Sequence, residues 1–306
     1  MTSARRVGFF GPVGTFTHEA VGTLPGPLEA VPFTTITDVL DAVASGDVDC
    51  GVVPIENAIE GTVSATIDAL LFDHDLLIER EIVIPIRLHV MARPGVDLVD
   101  VREVWSYSHA LAQCRKFMST LPGVPVVNVG STADAARAVA ASDQPVAALA
   151  SRVAAATYGL SILVEDVEDA DDNETRFVVI GKDRVPPPTG HDRTTIVCFQ
   201  DADRPGSLYG ILGRFAARDL NLTKLESRPT KRGLGDYCFV IELDGHVADD
   251  VIADCLADLQ AHLTRVKFLG SYPVTGDDAV SRRDEVGAAR VAAREWIDQI
   301  RNKISD

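Results

Sequence analysis

Four short stretches hold residues that can bind or polarise a small anion. Residues 11–20, GPVGTFTHEA, form a tight Gly-Pro turn in which Thr15 or Thr17 can cap a following helix and leave its N–H groups to meet a carboxylate. The same pattern also serves simply to turn a strand into a helix. Residues 52–63, VVPIENAIEGTV, end an apolar run in Glu56, Asn57, Glu60, Gly61 and Thr62. Polar groups at the carboxyl end of a strand are where α/β sheets take ligands, although an Asx-type turn accounts for them equally well. In residues 106–114, SYSHALAQC, Ser106 or Ser108 can cap a helix whose first turn carries His109, a place that favours the neutral imidazole. Residues 171–180, DDNETRFVVI, set Asn173, Thr175 and Arg176 just before a core strand, and strand alternation sends Thr175 and Arg176 to opposite faces.

The elements that must position these residues follow from periodicity. Strands are expected over 7–10, 50–54, 82–90, 103–107, 146–149 and 177–180, and helices over 36–44, 110–119, 133–141 and 152–158. This alternation is that of an α/β domain with largely parallel strands. The stiff VPPPTG at 185–190 continues neither element and marks a boundary. Beyond it the order becomes strand, helix, strand, strand, helix, strand, over 194–200, 206–218, 221–228, 237–243, 249–262 and 265–272, which is a ferredoxin-like βαββαβ unit. From 277 onward Val286, Ala289, Val291, Ala292, Trp296, Ile297 and Ile300 recur at helical spacing, as in an amphipathic helix docked on the body or on a partner.

Composition narrows the function. A formal charge of −16 argues against nucleic acid or an anionic membrane as partner, so any positive field for an anionic substrate must be local. The N-terminal stretch reaches Gly and Pro too soon for a signal-peptide core, and no apolar run is long enough to span a bilayer, which gives a cytoplasmic protein as the expectation. Cys50, Cys114, Cys198, Cys238 and Cys255 lack metal-ligand spacing and are expected as reduced core residues. No metal and no cofactor are expected.

Gly11-Pro-x-Gly-Thr-Phe16, Pro54-Ile-Glu-Asn57, Glu60-Gly61 and Thr175-Arg-Phe177, in that order and followed by the ferredoxin-like unit, resemble the prephenate dehydratase family. Residues 203–208, DRPGSL, and Glu226-Ser-Arg-Pro229 resemble signatures of the ACT regulatory domain found in that family. Two departures stand out: Ala58 occupies a position where the family usually has Ser, and Tyr107-Ser-His109 replaces His-Pro-Gln.

The resemblance implies a two-lobed, periplasmic-binding-protein-like catalytic domain over 1–184 with its second lobe at about 82–160, a linker over 185–192, an ACT domain over 193–274 and a helical extension over 275–306. It implies decarboxylating dehydration of prephenate to phenylpyruvate, carbon dioxide and water by a carbon-oxygen lyase, with L-phenylalanine as effector in a homodimer or homotetramer. Arogenate dehydration and a non-enzymatic amino-acid sensor are the alternatives. Thr175 would be the donor to the departing hydroxyl, with Asn57, Ser106, Gln113 and Glu56 as further catalytic candidates. Glu56 would either point away from the dianion or be held protonated by burial. Thr15, Phe16, Gly61, Thr62, Thr132, Asn173, Arg176 and Phe177 are the substrate-binding candidates, Phe16 and Phe177 as an apolar wall. Arg176 has bracing of the loop through Asp171, Asp172 or Glu174 as its other reading. The effector would lie near Gly206, Ser207, Leu208, Asn221, Leu222, Glu226, Ser227, Arg228 and Pro229.

Overall fold

The computed structural model describes residues 4–200, 204–231 and 236–275, with 296, 299, 302 and 303. Of the apolar positions expected on a C-terminal helix, only Trp296 falls among them, and it is exposed; the rest lie outside the described residues. Among the described residues no helix is long and apolar enough to cross a membrane.

The chain begins β1 (Arg5–Phe10), α1 (Phe16–Gly22), β2 (Leu28–Phe33), α2 (Ile36–Ser45), β3 (Cys50–Asn57), β4 (Gly61–Thr62), α3 (Ser64–Asp68), β5 (Leu77–Pro85) and β6 (His89–Ala92). It continues with β7 (Glu103–Ser106), α4 (Ser108–Ala112), α5 (Arg115–Met118), β8 (Val126–Asn128), α6 (Thr132–Ala141), β9 (Val146–Ala150), α7 (Arg152–Tyr158), β10 (Ser161–Val164) and β11 (Glu174–Gly181). The last unit is β12 (Asp192–Phe199), α8 (Ser207–Ala216), β13 (Leu222–Pro229), β14 (Tyr237–Asp244), α9 (Asp250–His262) and β15 (Arg265–Pro273). Local chemistry sets several ends. Thr35 and Asp38 close a reciprocal capping box on α2, which stops at Gly46 in the left-handed region, and Ser151 caps α7, which stops at Gly159 in the same way.

Two sheets make two lobes. The first has strand order β2-β1-β3-β11-β5 with β4 on β3, and the second has β10-β6-β9-β7-β8. The expected strand over 82–90 is in fact two strands, β5 in the first sheet and β6 in the second. Its apolar pattern is continuous, but Pro85 ends the first ladder and residues 86–88 carry the chain between lobes. Residues 165–173 bring it back, so β11 enters the first sheet antiparallel to both β3 and β5. Both sheets are therefore mixed rather than largely parallel. The two crossing segments are tied together: Ile86 N donates to Asn173 O at 2.8 Å, Val167 N to Leu88 O at 2.9 Å, and Leu88 N to the Glu168 carboxylate at 2.9 Å. The expected helix over 110–119 is also split, because the Asp169 carboxylate accepts from the N–H groups of Arg115 and Lys116 at 3.0 and 2.9 Å and so starts α5 afresh.

The third sheet has order β13-β14-β12-β15, antiparallel throughout, with α8 and α9 on one face. This is the ferredoxin-like unit expected from the order of its elements. Its other face lies on the first lobe. Val197, Cys238, Val240, Leu269 and Tyr272 share one core with Ile78, Val178 and Ile180. Contact is close at Gly270, where φ is +141° and an added Cβ would sit 2.4 Å from the Ile78 carbonyl oxygen. The five cysteines are all buried and free, as expected.

Candidate active site

A chain of neutral side chains runs across the cleft edge of the first lobe. Asn57 ends β3 and Thr175 is the second residue of β11, and the antiparallel register sets them opposite each other. Asn57 Oδ1 accepts from the backbone N–H of Ile59 at 3.0 Å and of Glu60 at 2.9 Å, which fixes the amide so that Nδ2 is the end facing Thr175. Nδ2 then donates to Thr175 Oγ1 at 2.9 Å and to Asn173 Oδ1 at 3.0 Å. Asn173 Nδ2 donates in turn to Gln113 Oε1 at 3.2 Å, which brings in the second lobe. Because Thr175 Oγ1 accepts from Asn57 and, among the described residues, no protein group takes its proton, its O–H is left to donate elsewhere. Thr175 and Asn173 are buried, while Asn57 and Gln113 are half-buried.

The lobes also meet around the Gly-Pro turn. Thr15 caps α1 by accepting from His18 N, Ser151 Oγ donates to Gly14 O at 3.0 Å, and the Tyr158 hydroxyl donates to Val13 O at 2.7 Å. Phe16 packs against the cores of both lobes. His18 is not a free surface residue: its ring stacks on Phe9, and burial holds its pKa below the ordinary value. Across the mouth, His109 Nδ1 lies 3.0 Å from Glu60 Oε1, and its ring stacks on Tyr107.

The neighbours of the central pair face the other way. Arg176 is buried and does not meet Asp171, Asp172 or Glu174; its guanidinium lies 2.7 Å from Glu56, 3.3 Å from Glu81 and 2.9 and 3.0 Å from the two oxygens of Glu242. The Glu56 carboxylate also meets Lys224 Nζ at 3.2 Å. Burial pushes Glu56 up, but Arg176 and Lys224 outweigh it and hold the carboxyl below its usual range. Of the two expectations for Glu56, turned away is the one that its pairing with Arg176 and Lys224 supports. Burial likewise opposes the Arg176 charge, and Glu242 more than restores it. Neither Arg176 nor Glu56 reaches the cleft, because the pleat alternates and the third sheet covers the face they occupy.

Other candidates are corrected for similar reasons. The Ser106 hydroxyl is fully buried and donates to Leu149 O at 2.6 Å, so it braces the second sheet and caps no helix. Phe177 is core, packed with Phe9 and Ile82, and offers no wall to a ligand. Thr62 is held by the third sheet, donating to Glu226 at 2.7 Å and accepting from Lys224 at 2.9 Å. Gly61, at φ +80°, makes the turn that returns β4 onto Asn57. Thr132 opens α6 behind its cap Ser131, apart from the Asn57–Thr175 chain.

In the third unit, Gly206, Ser207 and Leu208 line an open groove of about 620 Å³ with Leu212 and Phe239. Within one chain neither Asn221, Leu222 nor the 226–229 stretch lines it. Asn221 donates to Asp244 at 2.7 Å, and Leu222 packs on the helices. The side chains of Glu226 and Arg228 point to the first lobe, Arg228 pairing with Asp68 and donating to Ser64 at 3.1 Å. Sequence reading missed Glu81, Glu242, Arg193 and Lys224. For Glu242 the signal was a charge set inside an apolar run, in YCFVIELD, since a buried charge needs a partner; Glu81, Arg193 and Lys224 sit among other polar residues and carry no such mark.

Comparison with known proteins agrees with this architecture. The family described as prephenate dehydratase matches residues 7–185, and the ACT domain family matches 194–261. A prephenate dehydratase from Amycolatopsis methanolica is 44% identical over 271 residues, 87% of this chain and 88% of that protein. The crystal structure of an Arthrobacter aurescens prephenate dehydratase in complex with L-Phe is 39% identical, with TM-score 0.85 over 97% of this chain and 99% of that one. A further solved structure, GqqA, described as a novel type of quorum quenching acylase, is 30% identical with TM-score 0.81 over 89% of this chain and 98% of that one.

Proposed function

The chain belongs to the prephenate dehydratase family, and we propose that the series Gln113, Asn173, Asn57, Thr175 is the part of it that handles the leaving hydroxyl. Its reaction is the dehydration of prephenate, under regulation by L-phenylalanine. The ring carboxylate leaves as carbon dioxide, the electrons of its C–C bond complete the aromatic ring, and the ring hydroxyl departs with its bonding pair and takes a proton from solvent to become water. Aromatisation makes the step downhill, so the barrier lies in expelling hydroxide.

A threonine hydroxyl is too weak an acid to give its proton outright at neutral pH. Thr175 acts instead as a positioned donor to the departing oxygen, contributing about 10² to 10³ in rate. Asn57 donates into Oγ1, which polarises the hydroxyl and turns its proton away from the amide. Gln113 and Asn173 carry the same alignment across to the second lobe, so the donor is in register only when the lobes are together. The set carries no charge, and the Glu56 carboxylate is turned away, so nothing in it repels a dianion. A substrate carboxylate rests on the backbone N–H groups at the helix start near Thr15, and Phe16 gives the forming ring an apolar wall.

The observation that carries this reading is the 2.9 Å hydrogen bond from the orientation-locked Asn57 amide to Thr175 Oγ1. An acyl-transfer reading, which the likeness to GqqA raises, needs a nucleophile beside a base. Among the described residues Thr175 Oγ1 has no histidine, lysine or carboxylate partner, which favours the donor role. We further take the protein to be a cytoplasmic carbon-oxygen lyase and a homodimer or homotetramer, with residues 1–184 catalytic and 193–274 regulatory. The decisive experiment incubates purified protein with prephenate, with and without L-phenylalanine, and follows phenylpyruvate. Absence of product from prephenate, and then from arogenate, overturns the dehydratase reading.

A further inference from the structure

β13 is an edge strand with two differently employed faces. Toward the helices, Ser227 sits opposite Phe239, which lines the groove of the third unit. Toward the first lobe it presents Lys224, Glu226 and Arg228, and all three reach across: Lys224 to Glu56, Glu226 to Thr62, Arg228 to Ser64 and Asp68. The apolar core shared by the third sheet and the first lobe draws on β12, β14 and β15 but on no residue of β13. Among the described residues this strand therefore adds nothing to the shared apolar core and holds the catalytic lobe by these polar contacts. Such contacts re-pair with small displacements, whereas a packed core does not.

Lys224 holds the central position among these contacts. Its Nζ lies 3.2 Å from Glu56 Oε1, 2.9 Å from Thr62 Oγ1 and 3.7 Å from Glu226 Oε2. Glu56 gives its second oxygen to Arg176 at 2.7 Å. Glu56 and Arg176 are the immediate chain neighbours of Asn57 and Thr175, paired in the same register of the same ladder but on the opposite face. One rigid peptide unit separates each member of the ion pair from its counterpart in the hydrogen-bonded pair.

We propose that Lys224 is a positioning residue that couples the effector groove to the Asn57–Thr175 pair by way of Glu56 and Arg176. The proposal rests on the dehydratase reading and on its regulation by L-phenylalanine. Effector binding shifts β13 relative to the first lobe, Lys224 changes its hold on Glu56, and the Glu56–Arg176 pair carries the change through the pleat to the amide and hydroxyl. Arg228 and Glu226 anchor the strand further along, where they meet β4 and α3 rather than the ladder that holds Thr175. β14 reaches Arg176 too, through Glu242, but it belongs to the shared core and is held in place.

The test compares wild type, Lys224→Met and Lys224→Arg as full chains, measuring prephenate turnover with and without saturating L-phenylalanine, L-phenylalanine binding by calorimetry, and thermal melting. Coupling between sites usually amounts to about fivefold or more; in Lys224→Met that ratio is expected to fall to about one, with effector affinity within about threefold of wild type. Lys224→Arg, which keeps the charge, is expected to retain part of the response. Glu56→Gln is expected to lose the response as well, and the double variant to lose no more than either single one. A Lys224→Met protein that keeps the wild-type ratio overturns the proposal, as does one that loses effector binding, and additive losses in the double variant overturn the shared route. If Lys224→Met does not fold, Lys224→Gln and Glu56→Gln answer the same question. Wild-type turnover indifferent to L-phenylalanine removes the coupling and leaves the catalytic reading standing; absence of wild-type turnover is a failure of that reading, visible before any variant is made.

Discussion

Thr175 Oγ1 accepts a hydrogen bond from Asn57 Nδ2 at 2.9 Å on one face of the first sheet, while the next residues along the two strands, Arg176 and Glu56, form an ion pair at 2.7 Å on the other. Strand alternation makes this division unavoidable once the register is set. The cleft receives a neutral donor pair, and the charged pair goes to the buried seam under the third sheet. A carboxylate beside Thr175 would accept its proton, so this separation leaves the donor hydroxyl free.

Replacing Thr175 by alanine removes only the donor. Steady-state kinetics should show kcat lower by about 10² to 10³ with KM within a few-fold of wild type, because the interaction is made chiefly as the hydroxyl leaves. Thr175→Ser, which keeps an O–H, should retain far more activity. An equal rise in KM with unchanged kcat would mean that Thr175 merely binds substrate.

Asn57→Asp is close to isosteric yet reverses the chemistry. The carboxylate has no N–H to give, so the Thr175 proton would turn toward it and away from substrate. It also meets the backbone of Ile59 and Glu60 as an acceptor just as the amide does, so folding should survive. We expect kcat to fall by at least about 10², comparable to loss of the hydroxyl, with a melting temperature near wild type.

Arg176→Met leaves Glu56, Glu81 and Glu242 facing one another with, among the described residues, Arg193 and Lys224 to balance them. Breaking a buried charge cluster in this way costs about 3–5 kcal/mol, far more than a surface pair, and chemical denaturation should record it. A loss below about 1 kcal/mol would mean that water reaches the cluster.

Stability in acid should depend on Glu168, which links the two crossing segments by accepting from Arg87 at 2.8 Å and Leu88 N at 2.9 Å. Burial pushes this carboxyl up, but the bonds from Arg87 and Leu88 outweigh it, and the pKa lies below the ordinary value. A depressed folded-state pKa stabilises fully above the unfolded value of about 4.3 and is lost as pH falls through the folded value. Melting temperatures from pH 7 down to 3 should therefore drop less steeply for Glu168→Gln than for wild type, from a lower starting point near neutrality. Parallel curves would exclude the linkage.

Gln113, which closes the end of α4, came only from the family resemblance, whereas Asn57, Asn173 and Thr175 were legible because they lie where β3 ends and β11 starts, at the points where an apolar pattern stops. The order of elements in the third unit was legible for the same reason. What the pattern did not reveal was which way the alternate residues faced. Period-two alternation puts Thr175 and Arg176 on opposite faces but does not say that a third sheet covers one of them, so nothing in the pattern weighs against the resemblance, which implies Arg176 for substrate and Glu226 and Arg228 for effector. The break at Pro85 was hidden too, since IVIPIRLHV is apolar on both sides of the crossing and hydropathy does not record a change of sheet. Phe177 misled because an aromatic after Thr-Arg satisfies a core as readily as a ligand.

The approach of Gly270 to the Ile78 backbone bears on how this chain can be taken apart. By connectivity the last sheet looks like a module joined by a proline spacer, the kind of part that recombination can append or discard. Yet it roofs the first lobe, and the fit leaves no room for so much as a methyl group. A shortened chain ending at the spacer would present Ile78, Val178 and Ile180 to water and be prone to self-association. A foreign module grafted there would have to bring its own glycine at the same height. Swapping regulators on this catalytic body thus requires transplanting the seam along with the sheet, whatever effector the newcomer binds.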